Sequence, residues 1–176
     1  LTLGVYHVFG DGSGDTQNAL FDPEGRAILA HPSIVTDAQT QRGGPPHARL
    51  TEKVVTTTPR LVQNVPTDQL FTIYTSTTSP IPIIRNEELI LLRAEARYFT
   101  GDVVGALADI NLIRTTSGGL APRGPFLSDT DFVTELLYNR LYSVLWQQGT
   151  RWIDARRYGR TASLPIDRAG DVVHPQ

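Results

Sequence analysis

The succession of helix-forming segments and helix-ending residues between Arg85 and Arg160 constrains the fold more than any other feature of this chain. Apolar residues recur at helical spacing on both sides of the pair Gly101-Asp102, where glycine is suited to end one helix and aspartate to cap the next. So short a connection folds two helices back on each other. The pattern predicts helices over 85–99 and 102–114, antiparallel and within about 10 Å of each other. A hairpin of this size is typical of one tetratricopeptide unit, which needs partner helices to bury its apolar face.

Two more helices are predicted after a loop rich in glycine and proline. Ser128 is placed to cap a helix and Asp131 stands in capping-box position, so we predict a helix over 129–148 that ends at Gly149. A short helix follows over 151–158. Shared helical spacing predicts one core, formed by Leu89, Leu92, Ala96, Leu107, Ile110, Leu137, Leu141 and Leu145.

The first 80 residues differ in composition, being rich in Thr, Gly, Pro and Asp. Branched and aromatic residues predict strands at 2–9 and 69–75, with weaker candidates at 27–35 and 53–58. Such short runs do not make a large sheet on their own. We therefore predict a mainly α fold, a tetratricopeptide-like helical-hairpin scaffold with an irregular, partly β N-terminal segment.

The length and composition limit the classes of protein to consider. We expect 176 residues to form a single domain, with an irregular segment 1–80, a helical scaffold 81–160 and a tail 161–176. A net charge of −2 offers no general attraction for nucleic acid. No apolar run approaches the roughly 20 residues of a membrane helix. The sequence has neither Cys nor Met, so we expect no disulfide or thiolate chemistry and read the chain as a piece of a longer polypeptide.

Two motifs resemble the signatures of a known family. The first runs from Arg85 through Ala96, Gly101-Asp102 and on to Gly118, and the second from Arg140 to Gly159. In order and spacing they are similar to the SusD/RagB family of nutrient-binding outer-membrane lipoproteins. The motif positions are Glu88, Glu95, Gly101, Asp102, Asn111, Arg114, Gly149, Arg151, Trp152, Asp154 and Arg157. The chain departs from the family at Asn139, Ser143 and Gln148, which stand at or near places where the family usually has acidic residues.

The resemblance implies a setting as well as a fold. A family member captures a glycan or another nutrient at the cell surface and delivers it to a TonB-dependent, SusC-like outer-membrane transporter, over which it closes as a lid. Its membrane association comes from a lipid anchor that is absent from this chain, which would then be the C-terminal portion of a longer SusD-like protein. The expected localisation is the outer membrane at the cell surface. Binding rather than catalysis is expected, with no cofactor.

Two other functions remain open. One is a helical-repeat protein–protein interaction module without a small-molecule ligand. The other is a glycan-cleaving enzyme that would use Glu87, Glu88 or Glu95 as a carboxylate pair. The spacing of Glu88 and Glu95 on one helix favours a structural ion-pair stripe instead. The candidate ligand-binding residues are aromatic or lie beside aromatic residues in the variable first segment: Tyr6, His7, Phe9, Phe71 and Tyr74, with the segment around Phe21 as a further candidate.

The Arg-Trp segment also has two interpretations. Its arginines suit an anion pocket, and Trp146 and Trp152 suit stacking on sugar rings, but ion pairing and packing are the favoured interpretations. We predict that the last helix is held against the 85–99 helix by Arg151, Trp152, Asp154 and Arg157.

A metal site has little support in the sequence. Asp11, Ser13, Asp15 and Asp22 alternate like part of a calcium loop, but the glycine and glutamate that such a loop needs are missing. A solvated turn is the favoured interpretation. The four histidines, His7, His31, His47 and His174, lie far apart in the sequence and give no support to a metal or acid–base role.

Overall fold

The computed structural model describes residues 1, 3–24, 28–41, 44–62, 64–147, 149–167 and 170. The chain divides into two compact units, Thr2–Arg85 and Asn86–Gln176, and Leu1 belongs with the second. The division falls close to the change of composition near residue 80. Each unit has its own architecture.

The first unit consists of two small antiparallel sheets and two helical turns. Its elements are β1 (Gly4–His7), β2 (Leu29–Ala30), α1 (Ser33–Thr36), α2 (Ala48–Thr51), β3 (Val54–Val62), β4 (Val65–Phe71) and β5 (Ile81–Arg85). β1 pairs with β5, and a three-stranded sheet has the order β2-β4-β3. β3 and β4 form a hairpin whose connection includes Asn64 at φ +67°, in the left-handed region that asparagine tolerates better than most residues.

All four predicted strand segments contain a strand, although the bounds differ. β1 lies inside 2–9, of which Thr2 is outside the described residues, and β4 starts four residues before the predicted 69–75. β3 extends beyond 53–58 because its Thr- and Val-rich sequence pairs with β4 over most of its length. In 27–35, of which Ala27 is not described, only Leu29–Ala30 is strand and Ser33 begins a helical turn.

The second unit is helical. It contains α3 (Asn86–Phe99), α4 (Val103–Thr116), α5 (Asp129–Ser143), α6 (Thr150–Arg157) and a 3-10 turn at Thr161–Ser163. Gly101 has φ +96°, as expected for a glycine just beyond a helix end. Asp102 caps α4 by accepting a hydrogen bond from the Gly105 amide at 2.9 Å, and Ser128 caps α5 through the Asp131 amide. The caps are where the sequence predicted them.

α5 ends earlier than predicted. Its last residue is Ser143, and Trp146 in the following turn has φ +58°. A tryptophan in that region interrupts the helical backbone. Gly149 does not end α5 but is the N-cap of α6, which begins at Thr150. The described residues do not include Gln148, which is the last residue of the predicted helix. They also do not include His174 and residue 176 in the tail.

The core of the second unit lies between α3, α4 and α5. Ten residues form it: Ile90, Leu91, Ala94, Ala106, Ile110, Ile113, Phe132, Val133, Leu136 and Leu137. Tyr98 stacks on Phe132 with ring centroids 3.8 Å apart, and Phe126 packs edge-on to the same ring. This aromatic stack closes one end of the core.

The prediction of a mainly α, tetratricopeptide-like scaffold is wrong. Of the described residues, 39% are helical and 18% lie in strands, and the two sheets make the chain mixed α/β. The reason is that the β-branched residues of the first unit pair into sheets. The helical periodicity after Pro80 carries no information about that half of the chain.

The predicted core face of α3 is also wrong. Leu91 is fully buried, whereas Leu92 is 42% exposed, and Leu89 and Ala96 are exposed as well. α3 carries apolar residues at 89, 90, 91 and 92, so two different faces of the helix carry apolar residues at helical spacing. The position of α4 and α5 selects the face with Ile90, Leu91 and Ala94. Of the other predicted members, Ile110 and Leu137 lie in this core; Leu145 is buried, and Leu107 and Leu141 are partly buried.

Candidate functional site

A cleft of about 160 Å³ lies in the second unit between three helices. It is lined by Glu88 and Leu92 of α3, Arg140 of α5, Val144 directly after α5, and Thr150, Ile153, Asp154 and Arg157 of α6. The lining combines carboxylates, guanidinium groups, a hydroxyl group and apolar side chains. A few polar groups on an otherwise apolar wall are typical of a small-ligand site.

Helical spacing explains why α6 supplies half of the lining. Thr150 follows Gly149, whose φ of +64° lets the chain turn into the new helix. The four lining residues of α6 have the spacing i, i+3, i+4 and i+7, which places them on one face. Glu88 and Leu92 share a face of α3 for the same reason. The cleft is therefore the space between two helix faces, floored by the end of α5.

Arg140 ties the three helices together. Its Nη1 donates to Oδ1 of Asp154 at 2.9 Å, and its Nη2 donates to Glu95. The Arg140 side chain is 9% exposed. Buried charges need counter-charges at hydrogen-bonding distance, so this one guanidinium group fixes α5 to both α3 and α6.

Glu95 receives three donors. Besides Arg140, the Tyr158 hydroxyl group donates to it and Nη2 of Arg157 lies 2.8 Å from Oε1. Burial alone would raise the pKa of Glu95, but the hydrogen bonds from Tyr158 and Arg140 and the charges of both arginines outweigh it and hold that pKa below its ordinary value. Burial, and then the bond to Glu95, raises the pKa of Tyr158. Glu95 is thus a fully engaged carboxylate.

Asp154 is the buried carboxylate of the cleft wall. Burial raises its pKa, and the charge and hydrogen bond of Arg140 offset this only in part. The pKa values of the two acids therefore shift in opposite directions, because Asp154 has one arginine hydrogen bond while Glu95 has three donors. Asp154 is the member of this network whose charged form is disfavoured by burial.

Two lining groups keep hydrogen-bonding capacity for a ligand. Glu88 is partly buried, and no hydrogen bond or ion pair to it occurs among the described residues. Arg157 pairs with Glu95, yet its side chain is 59% exposed, and a guanidinium group carries five N–H donors. The cleft therefore presents an available acceptor and available donors.

A second ionic network lies away from the cleft. Arg114 pairs with Glu135 at 2.5 Å, and Arg123 pairs with Asp131 at 2.7 Å. Asn139, fully buried, donates to Glu135, so its amide takes part in this network. Asn111 accepts from the Arg123 amide and donates to its carbonyl oxygen. Through these contacts the motif residues Asn111 and Arg114, together with Arg123, hold the 117–128 loop against α4 and α5.

Two residues of the predicted anchor set on α6 form ion pairs with neighbouring helices. Asp154 and Arg157 form the predicted ion pairs with Arg140 and Glu95. Arg151 is exposed, and Trp152 is 43% exposed with the Arg156 guanidinium 5.9 Å from its ring centroid. Arg151 and Trp152 were predicted to share this anchoring role, but both side chains are exposed. The first turn of α6 directs them away from the buried side, where Asp154 and Ala155 lie.

The aromatic candidates of the first unit lie on several of its elements. Tyr6 and His7 belong to β1, and the His7 and Phe9 rings meet edge-on at 4.7 Å. Phe71 ends β4. Tyr74 is buried, its hydroxyl group has no hydrogen-bond partner in the described part of the chain, and burial raises its pKa. Two of the elements that carry these residues belong to different sheets, β1 to one and β4 to the other.

The acidic residues of the candidate calcium loop accept hydrogen bonds from other residues of the first unit. Asp11 accepts from Gln17 and Thr77, Asp15 accepts from the Gly12 amide, and Asp22 accepts from the Ile28 amide. Ser13 is exposed. Within the described residues, no group of three or more His, Cys, Asp or Glu side chains is arranged to hold a metal ion.

Comparisons with known proteins return no relative. No family model, no curated protein and no solved structure matches this chain. Nor is any helix in the described ranges long and apolar enough to cross a membrane. The cleft itself is thus the firmest basis for a function.

Sequence reasoning missed most of the cleft. Leu92 was assigned to the core, and Val144, Thr150 and Ile153 were not singled out for any site. Arg140 stood inside the second motif without a role. The sequence did contain a sign of its role, since an arginine among the apolar residues of a helix requires a buried acid nearby.

Proposed function

We propose that this protein is a non-catalytic binding component for a hydroxyl-rich nutrient, a glycan or oligosaccharide, with the α3–α5–α6 cleft as its ligand site. The observation that carries the proposal is the pairing of unused polar groups with apolar side chains in that cleft. Glu88 can accept and Arg157 can donate hydrogen bonds, while Leu92 and Ile153 supply apolar surface. A sugar ring offers the matching pattern of hydroxyl groups and C–H faces.

The biological setting comes from the motif resemblance. Under the SusD/RagB hypothesis, the protein acts at the cell surface as part of a lipid-anchored outer-membrane protein and passes its ligand to a TonB-dependent transporter. Co-purification of the full-length protein with the transporter encoded beside it is the test. A full-length protein that neither carries a lipid anchor nor binds such a transporter would refute this setting and leave the ligand site to be judged separately.

The state of Glu95 supports binding over glycoside cleavage. A glycosidase needs two available carboxyl groups across the scissile bond. Glu95 is engaged by Tyr158, Arg140 and Arg157. Asp154 is engaged by Arg140, and Glu87 is buried and has an interaction partner of its own, so Glu88 stands without an available second acid. Release of product from a labelled oligosaccharide would identify an enzyme instead.

A protein–protein interaction module is the second candidate. Leu89, Leu92 and Phe99 on α3 are all more than 40% exposed, and exposed apolar side chains along a helix favour such a surface. Saturable binding of a sugar without turnover would exclude this alternative as the sole function.

Calorimetric titration with a panel of neutral, amino and acidic oligosaccharides tests the ligand site. Ile153→Arg places a bulky charge at the cleft, whereas Leu112→Arg makes the same change at an exposed α4 residue that does not line it. We expect the first variant to abolish binding and the second to retain it, with both melting like the wild type. Equal binding by both variants would refute the cleft as the site.

A further inference from the structure

The charges around the cleft are unbalanced. Three carboxylates, Glu88, Glu95 and Asp154, face two guanidinium groups, Arg140 and Arg157. Both guanidinium groups are already paired, Arg140 with Glu95 and Asp154, and Arg157 with Glu95. One negative charge is left over, and Glu88 is the carboxylate without a counter-charge.

The position of Glu88 makes this charge useful to a ligand. It stands in the first turn of α3, where the helix dipole favours a negative charge. It is partly buried and lines the cleft. A charge pair formed in such a place is stronger than one in open water, because the effective dielectric constant is lower.

We infer that Glu88 selects ligands that carry a primary amine beside hydroxyl groups, such as an amino sugar, and that the cleft rejects acidic sugars. This inference rests on the proposed function. The ammonium group would pair with the Glu88 carboxylate. The hydroxyl groups would reach the exposed N–H groups of Arg157 and the hydroxyl group of Thr150, and the ring would lie on Leu92 and Ile153. An acidic sugar would bring a second negative charge against the unpaired carboxylate.

The test is a titration of the protein with glucosamine, N-acetylglucosamine and glucuronic acid. We expect glucosamine to bind at least about tenfold more tightly than its N-acetyl form, which differs only at the amine, and glucuronic acid to bind most weakly. Glu88→Gln keeps the size of the side chain and removes its charge, so the preference for glucosamine should disappear. Glu52→Gln makes the same change at an exposed residue of the first unit and should leave the preference intact.

The outcomes separate the inference from the proposed function. Equal binding of amino and N-acetyl forms, blocked by Ile153→Arg, would overturn the role of Glu88 and leave the sugar site standing. A preference that survives Glu88→Gln would also overturn it. Failure of every sugar, including the oligosaccharide panel, would overturn both. A thermal melt of each variant checks that the fold is retained.

Discussion

Replacing Arg140 with Met tests whether the buried network holds the second unit together. The change removes both hydrogen bonds of the guanidinium group while keeping an apolar side chain of similar length. Glu95 would still have Tyr158 and Arg157 as donors. Asp154 would lose the arginine hydrogen bond that compensates its burial. The loss in free energy of unfolding therefore comes mainly from the buried Asp154 carboxylate, which loses its paired counter-charge.

The expected loss is about 3–5 kcal/mol at neutral pH, the usual cost of breaking a buried ion pair from one side. A unit of the size of Asn86–Gln176 shifts its melting temperature by roughly 4–8 °C for each kcal/mol, so its transition should fall by at least roughly 12 °C. Urea unfolding followed by circular dichroism gives the free energy directly. Arg151→Met removes an exposed arginine from α6 and serves as the matched control, with an expected change of about 0.5 kcal/mol or less.

The pH dependence gives the sharper measurement. Burial raises the pKa of Asp154 in the folded protein above its unfolded value, so its contribution is favourable at pH values below the unfolded pKa and is lost as the pH rises through the folded pKa. Loss of Arg140 raises that folded pKa further. The destabilisation by Arg140→Met should therefore be largest at neutral pH and should shrink as acidification protonates Asp154. A loss below about 1 kcal/mol, or one that does not shrink on acidification, would refute the assigned role of Arg140.

Three further predictions follow from burial, capping and ionisation. Leu91→Ala should cost about 2–5 kcal/mol in denaturant unfolding, whereas Leu92→Ala at the exposed neighbouring position should cost below about 1 kcal/mol; the reverse order would mean that the other face of α3 is the core. Asp102→Ala should lower stability by about 0.5–2 kcal/mol through loss of the α4 cap, and an unchanged melt would refute the capping hydrogen bond. Because burial and the bond to Glu95 raise the pKa of Tyr158, stability should fall as the pH rises above about 10, where the unfolded phenol ionises. Glu95→Gln should move the absorbance titration of that phenol towards lower pH, and no such movement would refute the pairing.

The local signals in the sequence were reliable where they depended on neighbours along the chain. The caps at Asp102 and Ser128 depend on side chains that bond to backbone amides three residues away. The break at Gly101 depends on the positive φ that glycine adopts readily. α6 lies within one residue of the predicted 151–158 at each end. Each strand prediction likewise rested on a run of branched or aromatic residues, and each such run contains a strand.

The sequence could not decide which of two apolar faces of α3 is buried. Leu91 and Leu92 are equally apolar, and only the positions of α4 and α5 distinguish them. The same limit applies to the site. Arg140 reaches Glu95 across 45 positions of the chain and Asp154 across 14, and no spacing rule specifies such partners. The positive φ of Trp146 was not predicted either, because the turn after α5 imposes it.

What the sequence determined by itself is the four helices of the second unit, the caps of α4 and α5 and the presence of charged side chains that require partners. These features depend on propensity and on bonds within a turn of the chain. The tertiary structure decided the mixed α/β class, the buried face of α3 and the pairing of the charges. It also decided that Glu88 and Arg157 are left with capacity for a ligand. These features depend on contacts between residues that are distant in the sequence and meet only when the helices pack. The free energy of such contacts cannot be assigned from any single segment.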